Sequence, residues 1–126
     1  MHFAVCFWGL LRSLSYTEKS IREFVLDPIT RAGHTYDVLI HSYNFSGVNN
    51  AEKWRLLNPS YVHIEDQDKF DESIGDYSMF ASKGDPWKNN LESLRNYVRA
   101  LNSLYQLALA VEQANFVTMQ FGGLTV

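Results

Sequence analysis

Phe3-Ala4-Val5-Cys6-Phe7-Trp8-Gly9-Leu10-Leu11-Arg12-Ser13 decides how this chain is read. Its first six residues are a continuous apolar run of strand length, which Gly9, Arg12 and Ser13 then interrupt with a glycine, a cation and a hydroxyl. Ser15-x-x-Glu18 comes next with the spacing of a capping box, so a helix is expected from there. A buried strand that feeds a helix through such a turn is how α/β proteins offer backbone N–H groups to an anionic ligand.

Outward from this turn, Ile21, Phe24, Val25 and Ile29 recur at spacings of three and four, which predicts that this face of the helix packs on a sheet. Pro28 predicts a kink or break around Asp27, and Gly33 a C-terminal cap. Tyr36-Asp37-Val38-Leu39-Ile40-His41-Ser42-Tyr43 reads as a second strand, parallel to the first because a helix joins them. Residues 44–50 have loop chemistry at the carboxyl end of that strand, the edge where open α/β sheets bind ligands. A short helix over 51–57 stops before Asn58-Pro59, and Tyr61-Val62-His63-Ile64-Glu65 alternates like a third strand.

Residues 65–76 carry six carboxylates and one lysine and read as a solvated acidic loop, with irregular structure over 77–84. Asp85-Pro86 then has the chemistry of an N-cap and first helical residue. From there a helix of about 25 residues is expected, with a stripe of Leu91, Leu94, Val98, Leu101, Tyr105 and Ala108 widened by Leu104, Leu107 and Val111. Val117, Met119 and Phe121 alternate like a fourth strand before Gly122-Gly123. The pattern predicts one α/β domain over 1–126, three-layered and Rossmann-like, with a mostly parallel sheet of about four strands in the order 3-2-1-4.

The composition narrows the function classes. With 14 Asp and Glu against 11 Lys and Arg and no basic run, the electrostatic footprint of a nucleic-acid binder is missing. Cys6 is the single cysteine, so no disulfide forms within the chain, and its place in an apolar run reads as a small buried hydrophobe. No stretch approaches the ~20 apolar residues of a membrane span, and the chain reads as cytoplasmic. The histidines lie on different elements with no helical pair at metal spacing, so no zinc site is expected. The Gly9 turn is too short for a phosphate loop of the Walker type and has no Gly-x-Gly-x-x-Gly, which disfavours ATP and NAD. Ser13 and Ser15 read as caps, and Trp8, Trp54 and Trp87 as packing anchors or stacking surfaces for a base or sugar.

Val5-Cys6-x-x-Gly9-x-x-Arg12, Ser20-Ile21, Asp27-Pro28-Ile29, the Tyr36–Tyr43 strand, Asn58-Pro59-x-Tyr61-Val62-x-Ile64-Glu65 and the helix bearing Asn90, Ser93 and Leu94 appear together in one order. In that order they resemble the amino-terminal half of GT-A-like nucleotide-sugar glycosyltransferases from bacterial polysaccharide loci and large algal viruses, over most of residues 3–112. The resemblance implies a nucleotide-diphosphate sugar donor at the carboxyl edge of the sheet and a carbohydrate acceptor. Gly9 would allow close backbone approach, Arg12 would meet the diphosphate, Trp8 would stack, and His41, Ser42 and Tyr43 would line the nucleoside pocket. The family holds a divalent cation, Mn or Mg, on an Asp-x-Asp after a later strand, but no Asp or Glu occurs after Glu112 here. Asp66-Gln67-Asp68 is the reserve metal motif, and no catalytic residue is assigned. The expected function is therefore donor binding by a shortened, weakly active or inactive glycosyltransferase-like domain. The alternative is a non-catalytic α/β interaction module, a truncated product or homo-oligomer whose open sheet a partner covers.

Overall fold

The computed structural model describes the backbone of residues 1–45, 52–82 and 84–125, with side chains as far as residue 114 except residue 80. Strands β1 (His2–Trp8), β2 (Thr35–Asn44) and β3 (Tyr61–Asp66) form a parallel sheet in the order β1-β2-β3. The architecture is α/β with a parallel sheet, and the three strands stand in the order the crossover rule predicts. Their register sets Cys6, Leu39 and Tyr61 in one row, and Trp8, His41 and His63 in the next but one. Because side chains alternate across a strand, Tyr36, Val38 and Ile40 of β2 face one side of the sheet, and Leu39, His41 and Tyr43 the other.

Helix α1 (Leu14–Ile21) starts earlier than the expected capping box, with Ser13 at the N-cap position and Glu18 paired instead with Arg22. The disturbance predicted around Asp27 takes the form of a π-helical turn, Arg22–Leu26, ahead of α2 (Asp27–Arg31). Pro28 cannot donate to the carbonyl four residues before it, and the wider turn, in which Asp27 N–H donates to Arg22 O, absorbs that loss. The extra residue rotates the remaining turns about the helix axis. Leu26 is buried where an unbroken helix would have placed Val25, and Phe24, expected on the packing face, is 73 % exposed. Gly33, at φ +83°, comes after the last turn and donates to Thr30 O, while His34 N–H reaches Ile29 O, so the predicted cap is present.

Leu11, Leu14, Leu26, Val38, Ile40 and Leu57 form the main apolar cluster, with Val5, Phe7, Trp54 and Val62 packed against it. Full burial of each such aliphatic side chain contributes about 1.5–3 kcal/mol. The short helix expected over 51–57 is a 3₁₀ turn, Lys53–Leu57, closed by Asn58 at φ +48°. The loop expected over 44–50 lies mostly outside the described residues.

Three other expectations are corrected. The acidic segment folds as α3 (Gln67–Ile74), because Asp66 caps it by accepting from Lys69 N–H and Asp68 complements the positive end of the helix. Part of the stretch expected to be irregular is a 3₁₀ turn, Tyr77–Phe80, capped by Asp76. The long helix, α4 (Glu92–Thr125), begins seven residues after Asp85, since Lys88, Asn90 and Leu91 all adopt positive φ. Asp85 Oδ2 instead accepts from Leu91 N–H.

The backbone of 115–121 continues α4, so the expected fourth strand is absent and β1 lies at the sheet edge among the described residues. A seven-residue alternation is too short to exclude the helical period, and Val111, Ala114, Val117 and Phe121 also recur at three and four. Propagating an existing helix also costs far less than starting a new element. The face α4 buries differs too. Arg99, Ser103, Leu107 and Ala110 point inward, while Leu101, Leu104 and Tyr105 of the expected apolar stripe are exposed.

Candidate functional site

The inward line of α4 is polar at one end because the sheet beneath it is polar there. Leu107 and Ala110 meet Leu39, with Cys6, Tyr61 and Val111 around them. Two residues further along each strand the row is Trp8, His41 and His63, and beyond it Tyr43 stands opposite Glu65. These positions lie toward the carboxyl ends of the strands, the edge expected to carry function.

His41 is 0 % exposed and both ring nitrogens are bonded: Nδ1 lies 2.7 Å from Ser103 Oγ and Nε2 2.8 Å from Glu65 Oε1. Asn102 Nδ2 donates to the same Glu65 oxygen at 3.0 Å and to Tyr43 Oη at 2.8 Å, and Tyr43 in turn donates to Arg99 O. The His63 ring stands edge-on to His41, with centroids 5.3 Å apart. Next to this group Arg99 donates to Asp71, Glu92 and Asn96, an arrangement that joins α3 to α4.

The electrostatics arise from the packing. Burial pushes the His41 imidazolium pKa down, more strongly than the Glu65 carboxylate beside it pushes up. At Glu65 burial alone would raise the carboxyl pKa, yet hydrogen bonds from His41 and Asn102 outweigh it and hold it below its ordinary value. Burial raises the Tyr43 phenol. Hydrogen bonds to Asp71 keep Arg99 charged well beyond its ordinary range, against the cost of burial. Burial likewise raises the half-buried Cys6 thiol, which suits a packing residue and disfavours a thiolate.

Ser103, His41 and Glu65 stand in the order of nucleophile, base and orienting carboxylate. Ser103 is 1 % exposed in the middle of α4, so its oxygen meets no substrate carbonyl. The relay therefore serves to tie α4 to β2 and β3.

On the other side of the sheet, Gly9 leaves β1 at φ +107°, a conformation that a side chain would strain. Its carbonyl accepts from Ser42 Oγ at 2.6 Å, and the Arg12 carbonyl accepts from Lys53 Nζ at 2.9 Å. The site residues expected from sequence thus divide in two. Trp8, at 48 % exposure, and the Arg12 side chain reach the surface at the carboxyl edge, with Gly9 between them. His41, Ser42 and Tyr43 are buried behind that edge.

Of the other aromatic candidates, Trp54 packs on the apolar cluster with the Arg55 guanidinium over its ring. Trp87 is exposed and, with Leu94 and Tyr97, walls a groove of about 740 Å³ near the start of α4.

The reserve motif lies at the start of α3. Asp66 Oδ1 is engaged as the cap of α3 and Asp68 is an exposed residue of its first turn, so the two carboxylates serve the helix. Among the described residues, the group that could share a metal is His41, His63 and Glu65, whose ligand atoms lie within 4.8 Å of one another. Sequence reading missed Glu65, Arg99, Asn102 and Ser103, and it separated the two histidines. A signal was present, since aligning the apolar centres of β2 and β3 puts His41 beside His63, and strand alternation then adds Glu65 to their face. No helix of the described residues is long and apolar enough to cross a membrane. No protein-family model, curated protein or solved structure matches the chain.

Proposed function

We propose that this domain binds the nucleotide diphosphate of a sugar donor at the carboxyl edge of its sheet, as a glycosyltransferase-like donor-binding domain. The observation that carries the reading is the β1–α1 connection: a parallel strand ends in a glycine at positive φ, with Trp8 and Arg12 exposed on either side of it. Arg12 offers a planar fork to phosphate oxygens, and Trp8 a ring to a base or sugar. His41, Ser42 and Tyr43 hold that edge in place from behind. Calorimetric titration with UDP, GDP and their sugars, with and without Mn²⁺, is the test. Heat with one base that falls at least several-fold in Arg12→Ala supports the reading, and no heat with any of them at millimolar concentration sinks it.

A second reading, an interaction module, is favoured by a different observation. Tyr97, Leu101, Leu104 and Tyr105 form an exposed apolar stripe along α4 at spacings of four, three and one. Such a face is a helix-packing surface, and in this reading a second copy of the chain covers it. Light scattering separates the two readings. A monomer that binds nucleotide favours the first, and a dimer that Leu101→Glu dissociates favours the second.

A further inference from the structure

We propose that His41, His63 and Glu65 bind a borderline divalent metal ion of the zinc class at the carboxyl ends of β2 and β3. The inference goes beyond nucleotide binding and does not depend on it. Each residue offers one ligand atom, and the three atoms lie within 4.8 Å of one another. Tetrahedral zinc with bonds of about 2.0–2.1 Å needs ligand atoms roughly 3.3–3.5 Å apart. His41 is held by burial and by Ser103, so Glu65, whose Oε1 lies 2.8 Å from His41 Nε2, draws back slightly to admit the ion while the partly buried His63 closes on it.

The ligand chemistry selects the ion. Two imidazoles and one carboxylate suit zinc and its neighbours, whereas magnesium and calcium prefer oxygen donors throughout. The surroundings also match what a ligating histidine needs. With the metal on Nε2, the His41 ring proton sits on Nδ1, within 2.7 Å of Ser103 Oγ, while Asn102 orients the Glu65 carboxylate at 3.0 Å. The imidazole stays neutral, and Glu65 exchanges a hydrogen bond from His41 for a bond to the cation. His63 has no hydrogen-bond partner for its ring nitrogens among the described residues, so its coordination breaks nothing. The Glu65 side chain is 21 % exposed, which leaves the ion a route in and a fourth position open to water or a ligand oxygen.

Titration of the full chain with Zn²⁺ alone, monitored by calorimetry, tests the site, with Co²⁺ as a visible-spectrum reporter of tetrahedral nitrogen and oxygen ligation. One Zn²⁺ per chain is expected, lost in His63→Ala, strongly weakened in Glu65→Gln, and weakened about 10- to 100-fold in Ser103→Ala, which removes only an orienting partner. The amino terminus supplies the control, because Met1, His2, His34 and Asp37 also gather there. A His2→Ala/His34→Ala variant should bind Zn²⁺ as the parent does. Circular dichroism establishes that each variant is folded, and if His63→Ala is not, Glu65→Gln decides. The proposal is overturned if the parent takes up no Zn²⁺, if uptake survives both His63→Ala and Glu65→Gln, or if it disappears in the amino-terminal variant instead. Nucleotide titrations free of metal keep this result separate from donor binding.

Discussion

On one side of the sheet Val38 and Ile40 of β2 meet Leu14, Leu26 and Leu57, and contact there is made between aliphatic surfaces without direction. On the other, His41 and Tyr43 of the same strand meet Ser103, Asn102 and Glu65 through hydrogen bonds that tolerate little displacement. One strand thus serves two layers with opposite physics. The apolar layer answers to volume, so its losses should be graded and independent of one another. The polar layer answers to connectivity, so removing one member should expose the others.

The sharpest way to break this comparison starts with the apolar layer. Ile40 has no exposed surface, and Ile40→Ala should cost about 2–5 kcal/mol in chemical denaturation. A loss well below 1 kcal/mol would mean that the layer collapses around the gap and is not closely packed. On the polar side Arg99→Met leaves Asp71 and Glu92 without their main partner and should cost about 1–3 kcal/mol, less than for a fully buried pair because Asp71 keeps some contact with water. Tyr43→Phe removes the bonds to Arg99 O and Asn102 with little change of shape and should cost about 0.5–1.5 kcal/mol.

A double-mutant cycle addresses the difference directly. His41→Leu and Ser103→Ala, 2.7 Å apart at their polar atoms, should couple by at least about 0.5 kcal/mol. Leu26→Ala and Leu107→Ala, in separate apolar clusters on opposite faces of the sheet, should add within about 0.5 kcal/mol. Coupling of equal size in both pairs would remove the distinction.

The same contrast explains what could be read without a structure. The three strands, their order and the Gly33 cap are legible in apolar runs and turn chemistry, and the apolar layer in strand alternation. What failed did so where polar groups replace apolar ones inside. Arg99 and Ser103 break the periodicity of the face α4 buries, and the leucines that complete an apolar stripe, Leu101 and Leu104, lie outside. Hydrophobic periodicity cannot identify a face whose burial depends on hydrogen bonds to distant strands, such as the one between Ser103 and His41, 62 positions apart. The helix face ahead of Pro28 escapes for another reason: the π turn inserts a residue into the count, and amphipathicity taken at a constant period does not see it. Glu65 reads in sequence both as the end of the third strand and as the first carboxylate of an acidic segment, and neither reading places it against His41.

The alternation of β2 also bears on errors of assembly. A slip of one residue in its pairing would turn His41 and Tyr43 toward Leu14 and Leu26 and leave Val38 and Ile40 opposite Ser103 and Asn102. Each misplaced polar group would be buried without its partner, at a cost that a uniformly apolar strand would not incur. The His41 row therefore raises the cost of a misregistered sheet above that of an apolar strand.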